Sequence, residues 1–312
     1  MNKTTLEVDG HKINIERLDK VLFPTGEITK GDLIDYYNRM AGTMLPYMRG
    51  RPLTMQRFPD GIEEGGFYQK EAPDYFPDWI RRVSIHVEEE GDEQDQVICE
   101  NAATLVYLAN QACITPHIWL SRADKINFPD KLMFDLDPPD HDFAPVRQAA
   151  KDLHVLLADL SLESFVMTTG SRGLHIVVPL KRTLDFDSVR DFAHSAAELL
   201  AKRHPDRITI AQRKQKRQGK LFIDYLRNAY GQNSVAPYAL RALPGAPVAT
   251  PLDWNELDNP QLESQSYNLS NIFRRLGQKE DPWKEIMEKA RSLNEAREKL
   301  EEVNQAHINN QP

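Results

Sequence analysis

The segment LMFDLDPP at residues 132–139 is the part of the sequence on which the prediction of the fold depends. Alternate side chains of a β-strand point to opposite faces, so Asp135 and Asp137 share one face while Phe134 and Leu136 face the core. The two prolines then end the strand, because proline cannot donate to the ladder of backbone hydrogen bonds. Two carboxylates on one face repel each other unless a cation lies between them, and Mg²⁺ or Mn²⁺ prefers such oxygen ligands. The pattern alone also fits two solvated aspartates at a strand end.

A second apolar run, LFIDYL at residues 221–226, carries one acid, Asp224. A carboxylate within such a run is costly to bury without a partner or a metal ion. If this strand neighbours the first, Asp224 meets Asp135 and Asp137. Three such carboxylates are the ligand set of a two-metal phosphoryl-transfer site.

A third motif, TTGSRGLHIVVP at residues 168–179, combines a glycine-containing turn with a strand. The turn offers the hydroxyls of Thr169 and Ser171, the cation of Arg172 and backbone N–H groups, all of which can bind an anion. His175 follows on the strand. A lone strand histidine is commonly structural, so the order of the three motifs carries more information than any one of them.

The rest of the chain alternates helical and extended patterns, which predicts an α/β fold with a mixed sheet flanked by helices. Thr29 and Asp32 have the spacing of a capping box and predict the start of a helix. Further helices are predicted at residues 102–112, 144–160 and 188–202, and strands at residues 131–137, 164–168, 174–180 and 220–226.

Composition excludes several classes of protein. The 312 residues are 40% hydrophobic, and no apolar run approaches the roughly 20 residues that span a bilayer, so no membrane partner is expected. The two cysteines form no CxxC pair, which points to the reducing cytoplasm. The net charge of −8 conceals a basic segment at residues 201–220, with eight Lys or Arg against one acid. That segment is either a solvated loop or a surface for an acidic partner.

The chain resembles the archaeo-eukaryotic primase superfamily, and within it the polymerase domain of bacterial ligase D, the enzyme of non-homologous end joining. The resemblance extends over about residues 18–257. The segments that carry it are LDKVLFP (18–24), RPL (51–53), FYQK (67–70), HIWLSR (117–122), FDLDP (134–138), GLH (173–175), FIDYLRN (222–228) and APYALR (236–241).

This resemblance implies a site on the matching residues. Asp135, Asp137 and Asp224 would be the catalytic, metal-binding residues, holding two Mn²⁺ or Mg²⁺ ions. A nucleoside triphosphate would be bound by a set of basic, hydroxyl and imidazole side chains: His117, Thr169, Ser171, Arg172, His175, Arg227 and Arg241. Thr169 and Arg172 replace the more usual serine and lysine of the family, and each keeps the chemical character of the position.

The resemblance also implies DNA contacts. Lys20 and Lys30 match lysines that grip the 5′-phosphate of the strand beyond a gap. Phe67 and Tyr68 match an aromatic pair that stacks on template bases, with Tyr68 in place of the usual phenylalanine. From the residues alone, the two lysines could be surface lysines and the two aromatics could belong to the core.

The expected function is DNA-dependent nucleotidyl transfer: a polymerase and primase that extends primer 3′ ends at breaks or gaps. The resemblance implies a preference for ribonucleotides, a ligase and a Ku-like protein as partners, and a place in the cytoplasm at the nucleoid. We expect a primase-polymerase domain at residues 1–277, with an N-terminal α/β subdomain at about 1–125, a catalytic core at about 126–257 and a helical tail at 278–312. The metal used, the need for a template and any attachment to a larger enzyme stay open.

Two other functions are compatible with part of the pattern. A metal-dependent phosphohydrolase of the haloacid-dehalogenase type also carries DxD at a strand end. That class requires Thr or Val two places after the second aspartate, where this chain has Pro139. A DNA-end-binding module without catalysis is the other alternative, and the presence of Asp135, Asp137 and Asp224 argues against it.

Overall fold

The computed structural model describes residues 3–86, 93–140 and 142–309. The chain forms two compact units, each assembled from three segments of sequence. Unit 1 consists of Met1–Asp124, Asn233–Thr250 and Tyr267–Lys279, and unit 2 of Lys125–Gln232, Pro251–Ser266 and Glu280–Pro312. The predicted N-terminal subdomain and catalytic core are each continuous in sequence, whereas these units are not.

The regular elements follow in chain order. The α-helices are α1 (Lys30–Met48), α2 (Ala102–Asn110), α3 (Ala144–Asp159), α4 (Phe186–Arg203), α5 (Ile272–Gln278) and α6 (Leu293–Asn309). The strands are β1 (Lys3–Val8), β2 (His11–Glu16), β3 (Val21–Phe23), β4 (Ile28–Thr29), β5 (Pro52–Arg57), β6 (Phe67–Gln69), β7 (Arg82–His86), β8 (Glu93–Ile98), β9 (Cys113–Trp119), β10 (Lys131–Asp137), β11 (Phe165–Thr168), β12 (Leu174–Pro179), β13 (Ile208–Thr209), β14 (Leu221–Asp224), β15 (Asn233–Val235) and β16 (Pro251–Leu252).

Unit 1 is built on an antiparallel sheet in the order β15-β9-β5-β8-β7, with β6 paired to β5. Helix α1 begins at the predicted capping box: the Thr29 hydroxyl accepts the N–H of Asp32, and the Asp32 carboxylate accepts the N–H of Thr29. The apolar face of α1 is buried, including Leu33, Met40 and Met44. The last strand, β15, returns to pair with β9 from a distant part of the chain.

Unit 2 contains a six-stranded mixed sheet in the order β13-β14-β10-β12-β11-β16. The pair β13–β14 is parallel and the other pairs are antiparallel. Helices α3 and α4 bury apolar stripes, among them Leu153 and Leu157 on α3 and Phe192 and Leu199 on α4. This confirms the α/β fold with a mixed sheet flanked by helices.

Some element ends differ from the sequence prediction. Helix α2 stops at Asn110, before the predicted end at Ala112, which has a left-handed φ of 56° that a helix cannot continue through. Strand β14 ends at Asp224 because a 3₁₀ turn at Leu226–Asn228 follows. That turn is tied to β10 by the buried Asn228 amide, which donates to the carbonyl oxygen of Met133 and accepts its N–H.

Two further observations concern exclusions made from composition. No helix in the part of the chain that the structure describes is long and apolar enough to cross a membrane. Cys99 and Cys113 are buried free thiols, and burial raises the pKa of the Cys113 thiol to about 12. A thiol held protonated in this way is a poor nucleophile and metal ligand.

Gly173, which precedes β12, supplies a test of this sheet. A Cβ atom at Gly173 would overlap the carbonyl oxygen of Leu136 on the paired strand β10. Because the obstacle is backbone, we expect Gly173→Ala to lower the free energy of unfolding by at least about 2 kcal/mol, measured by urea denaturation. Gly277→Ala is the control: open space surrounds this helical glycine, so the stability should stay level or rise. Equal free energies of unfolding for Gly173→Ala and Gly277→Ala would contradict the packing described for Gly173.

Candidate active site

Strand β10 carries the first two carboxylates of the site. Phe134 and Leu136 are fully buried, whereas Asp135 and Asp137 on the opposite face are partly accessible. The alternation predicted from the sequence is therefore present. Pro138 follows Asp137 directly, and the strand ends there.

The two neighbours of β10 bring further functional groups into register with Asp135. Asp224 of β14 lies directly opposite Asp135 on one side, and His175 of β12 lies directly opposite it on the other. The predicted adjacency of the two aspartate-bearing strands is thus observed. Three adjacent strands place an acid, an acid and an imidazole side by side.

His175 is tightly enclosed. Its side chain is 6% exposed, and its Nε2 atom lies 3.5 Å from Oδ1 of Asp135. Its Nδ1 atom is buried and has no hydrogen-bond partner among the described residues. A buried ring nitrogen in that state retains its capacity to bond a further group.

Arg227, in the 3₁₀ turn after β14, faces two of the carboxylates. Its Nε atom is 3.9 Å from Oδ2 of Asp135 and 3.8 Å from Oδ2 of Asp224. The Asp224 carboxylate is also oriented by the backbone, because the N–H of Leu226 donates to its Oδ1 atom at 2.8 Å. Arg227 thus offsets part of the negative charge.

Burial perturbs the titration of this cluster. The pKa of Asp137 is raised chiefly by burial and further by the charge of Asp135, while Arg172 and Arg217 act in the opposite direction. Burial also raises the pKa of Asp224, against the lowering effect of its hydrogen bond to backbone and of Arg227. The ionised carboxylates are therefore costly as they stand, and a nearby cation would relieve that cost.

The donor set suits a hard divalent ion, since it consists of carboxylate oxygens. In the described ranges, however, no group of three or more His, Cys, Asp or Glu side chains is arranged to hold a metal ion. Arg227 at ion-pair distance from both Asp135 and Asp224 provides a physical reason. A divalent ion would have to draw the oxygens inward and displace or share the contacts of that guanidinium.

The turn before β12 is organised by its own side chains. The Thr169 hydroxyl accepts the N–H groups of Ser171 and Gly173, each at 3.2 Å. Those two N–H groups, which we expected to face an anion, are therefore used within the turn. Ser264 donates to the carbonyl oxygen of Gly173, and Gln265 donates to that of Ser171. Arg172 remains exposed at the tip.

The predicted site residues do not all belong to one unit. Unit 2 holds Asp135, Asp137, Asp224, Thr169, Ser171, Arg172, His175 and Arg227, whereas unit 1 holds His117, Arg241, Lys20, Lys30, Phe67 and Tyr68. In unit 1, His117 lies on β9, and its ring meets that of Tyr68 edge-on at 5.6 Å. Arg241 is half-buried, and its backbone N–H donates to the carbonyl oxygen of Pro247. Nucleotide contacts by His117 and Arg241 stay predictions.

Lys20 and Lys30 line one cavity of about 340 Å³ within unit 1. Lys20 pairs with the exposed Asp60 at 2.7 Å, and Lys30 donates to the carbonyl oxygen of Glu16 at 2.7 Å. Burial lowers the pKa of the Lys30 ammonium; the Glu16 carboxylate acts against this, and the cations of Arg17 and Lys20 lower the pKa further. We call this space the phosphate cavity, after the ligand that the family resemblance implies for its two lysines. The two lysines therefore face the same space.

The aromatic pair lies on the surface and not in the core. Phe67 is 47% exposed and Tyr68 is 61% exposed, both on β6. Large exposed aromatic side chains are unusual unless they meet a partner.

Sequence reasoning missed several residues of the site. Arg217 acts on the carboxylates of Asp137 and Asp224, and its guanidinium lies over the ring of Phe222 at 3.7 Å. The basic segment at residues 201–220 was the available signal for it. For Ser264 and Gln265, which hold the turn from a distant part of the chain, no local signal exists.

Known proteins share the sequence pattern and the fold of this chain. A family model described as the LigD primase-polymerase domain matches residues 29–283. The multifunctional non-homologous end joining DNA repair protein LigD of Mycobacterium tuberculosis is 33% identical over 274 residues, covering 84% of this chain and 36% of that protein. LigD of Pseudomonas aeruginosa is 32% identical over 274 residues, covering 87% of this chain and 32% of that protein. The chain thus spans about a third of the length of these curated relatives.

A solved structure gives the same result for the fold. The polymerase domain from Mycobacterium tuberculosis ligase D, in complex with DNA, superposes with a TM-score of 0.83 at 29% sequence identity. The match covers 89% of this chain and 99% of that one. The sequence motifs, the sheet that aligns the carboxylates and these comparisons agree, and the chain belongs to the LigD primase-polymerase family.

Proposed function

We propose that this protein is a DNA-dependent nucleotidyltransferase that extends primer 3′ ends at double-strand breaks or gaps. One observation carries the proposal: Asp135 stands in register with Asp224 on one side and with His175 on the other, on three adjacent strands. Carboxylates that can hold metal ions lie beside an imidazole whose Nδ1 atom has no hydrogen-bond partner among the described residues. Such a site is suited to a triphosphate. The relatives named above act in non-homologous end joining, which supports DNA ends as the substrate.

Asp135, Asp137 and Asp224 would hold two divalent ions, Mg²⁺ or Mn²⁺. Such ions supply charge stabilisation for the attacking and leaving oxygens of a phosphoryl transfer. The paired strands β10 and β14 carry the three acids side by side, and the raised pKa values of Asp137 and Asp224 make a cation favourable there.

The triphosphate would be bound by the basic groups around these acids. Arg172 is exposed at the tip of its turn, and Arg227 faces the carboxylates, so both can donate to phosphate oxygens. The free Nδ1 of His175 can bond a further oxygen or hydroxyl. Thr169 would act by holding the turn, and Ser171 would contribute its hydroxyl. His117 and Arg241 of unit 1 are proposed to complete the nucleotide contacts.

DNA would be bound through unit 1. The phosphate cavity offers two ammonium groups to a 5′-phosphate, and lysine serves phosphate as a compact charge. Phe67 and Tyr68 offer exposed rings on which unpaired template bases can stack. A ligase and a Ku-like protein as partners, a preference for ribonucleotides and a place at the nucleoid complete the proposal by analogy with the family.

The first prediction concerns the three acids. Replacing Asp135, Asp137 or Asp224 by Ala should lower primer extension by at least about 100-fold, because each change removes charge from the ions. Extension of a labelled template–primer with Mn²⁺ measures this. Asp159→Ala, at an exposed position on α3, is the control and should extend normally. Substantial extension by Asp224→Ala would exclude the three-carboxylate site.

The second prediction follows from the raised pKa of Asp137. A carboxyl with a raised pKa in the folded state favours folding when protonated, and its ionisation destabilises the fold as pH rises above the unfolded value of about 3.9. In EDTA near neutral pH, Asp137→Asn should therefore unfold at a higher temperature than wild type. The difference should shrink as pH falls toward about 3, below the unfolded value, where the wild-type carboxyl is protonated in both states.

Thermal unfolding at the two pH values, with and without Mn²⁺, measures this effect. Excess Mn²⁺ should stabilise wild type more than Asp137→Asn, since binding to the folded state raises stability. The exposed Asp159→Asn should show neither difference. A lower unfolding temperature for Asp137→Asn in EDTA at neutral pH would be incompatible with the repulsion described.

The third prediction concerns the phosphate cavity. Wild type should prefer a gapped duplex with a 5′-phosphate over the same duplex without it, and Lys20→Ala/Lys30→Ala should lose that preference. Fluorescence anisotropy at low and high salt measures both, and the preference should weaken with salt. Lys12→Ala, an exposed lysine of β2 outside the cavity, is the control. Equal affinity of wild type for both duplexes would remove the two lysines from DNA recognition.

A further inference from the structure

Arg57, at the end of β5, belongs to both DNA-contacting features of unit 1. It lines the phosphate cavity together with Lys20 and Lys30. It also contacts the exposed aromatic side chains, because its guanidinium lies 5.6 Å from the ring of Phe67 and donates to the Tyr75 hydroxyl at 3.1 Å. This residue was not among those singled out from the sequence.

The guanidinium is held in place by neutral groups. Its Nε donates to the carbonyl oxygen of Gln111 at 2.9 Å, Nη2 donates to the Gln111 side chain at 3.3 Å, and Nη1 donates to the Gln69 side chain at 2.6 Å. No carboxylate pairs with Arg57 in the part of the chain that the structure describes. The side chain is half-buried, and its positive charge is fixed at the wall of the cavity.

The charges of the cavity wall point to an anion. Four cationic residues, Arg17, Lys20, Lys30 and Arg57, line it against one acid, Glu16. Nη2 of Arg57 carries two hydrogens, and only one of them is donated to a described residue. A planar guanidinium with a remaining donor is well suited to a phosphate oxygen.

Tyr75 adds a third exposed aromatic ring to Phe67 and Tyr68. Its side chain is 62% exposed, and its ring packs edge-on against the buried Phe76 at 5.3 Å. Its hydroxyl is fixed by Arg57. An exposed ring anchored at its base and at its hydroxyl is a rigid surface for stacking of a nucleobase.

We propose that Arg57 binds the 5′-phosphate together with Lys20 and Lys30, and at the same time positions Tyr75 and Phe67 to stack on the neighbouring unpaired base. The phosphate and the base are then bound cooperatively, as one ligand. This inference rests on the proposed function for its substrate, a gapped DNA, and adds a stacking residue and a coupling between two contacts.

The test measures binding of wild type to four gapped duplexes, with or without the 5′-phosphate and with a base or an abasic site at the unpaired template position. For each variant, the affinity for the duplex with a template base is divided by the affinity for the duplex with an abasic site. The coupling factor is this ratio with the 5′-phosphate divided by the same ratio without it. We expect a factor of at least about 5 for wild type. Fluorescence anisotropy without nucleotide provides the affinities.

Two conservative variants separate coupling from folding. Tyr75→Phe keeps the ring and removes only the hydroxyl that Arg57 bonds, so base stacking should persist while the coupling factor falls to about 1. Arg57→Lys keeps the charge and removes the fork, so phosphate preference should weaken and coupling should be lost. Arg39→Lys is the control: Arg39 also lies over an aromatic ring, that of Phe273 at 3.8 Å, but does not line the cavity.

The outcomes are distinct. Coupling that survives in Tyr75→Phe and Arg57→Lys overturns the inference. An equal loss of affinity for all four duplexes in these variants also overturns it, because that result indicates a purely structural role. A wild type that prefers the phosphate but shows no coupling also overturns it and leaves the proposed function intact. Absence of phosphate preference in wild type overturns both the inference and the assignment of the cavity. Primer extension by wild type on an ungapped template tests the polymerase activity of the proposed function separately.

Discussion

The antiparallel register of β10 with its two neighbours is the constraint on which the proposed catalytic site depends. It sets Asp135 directly beside Asp224 on β14 and His175 on β12. Side chains alternate along a strand, so a slip of one residue in either pair would turn the partner of Asp135 toward the opposite face. The register is fixed by the buried apolar residues between the acids and by Asn228, whose amide clamps the turn after β14 to Met133.

That register has an electrostatic consequence. It sets Asp135 directly opposite Asp224 on the neighbouring strand, and burial raises the pKa values of Asp137 and Asp224. Arg172, Arg217 and Arg227, from three different turns, partly offset the repulsion. These arginines lie near the acids, and in the proposed reaction they would also meet the negative charge of a triphosphate.

Local features of this fold could be predicted from the sequence, and features that join distant segments could not. The capping box at Thr29 and the shared face of Asp135 and Asp137 depend on spacing within a few residues. The pairing of β14 with β10 could be stated only as a condition, since no local pattern fixes which strands become neighbours. Ser264 holding the turn at Gly173, and Arg57 joining the cavity to the aromatic rings, depend on tertiary packing alone.

The construction of each unit from separated segments has a consequence for synthesis on the ribosome. Strand β9 acquires its edge partner β15 only after the whole stretch between them has been made. The buried hydroxyl of Thr115 on β9 likewise finds its acceptor, the carbonyl oxygen of Leu240, only then. During that interval the nascent first unit presents an open sheet edge, the feature by which unfinished chains associate with one another. The sheet of the first unit is therefore complete only after translation has delivered β15.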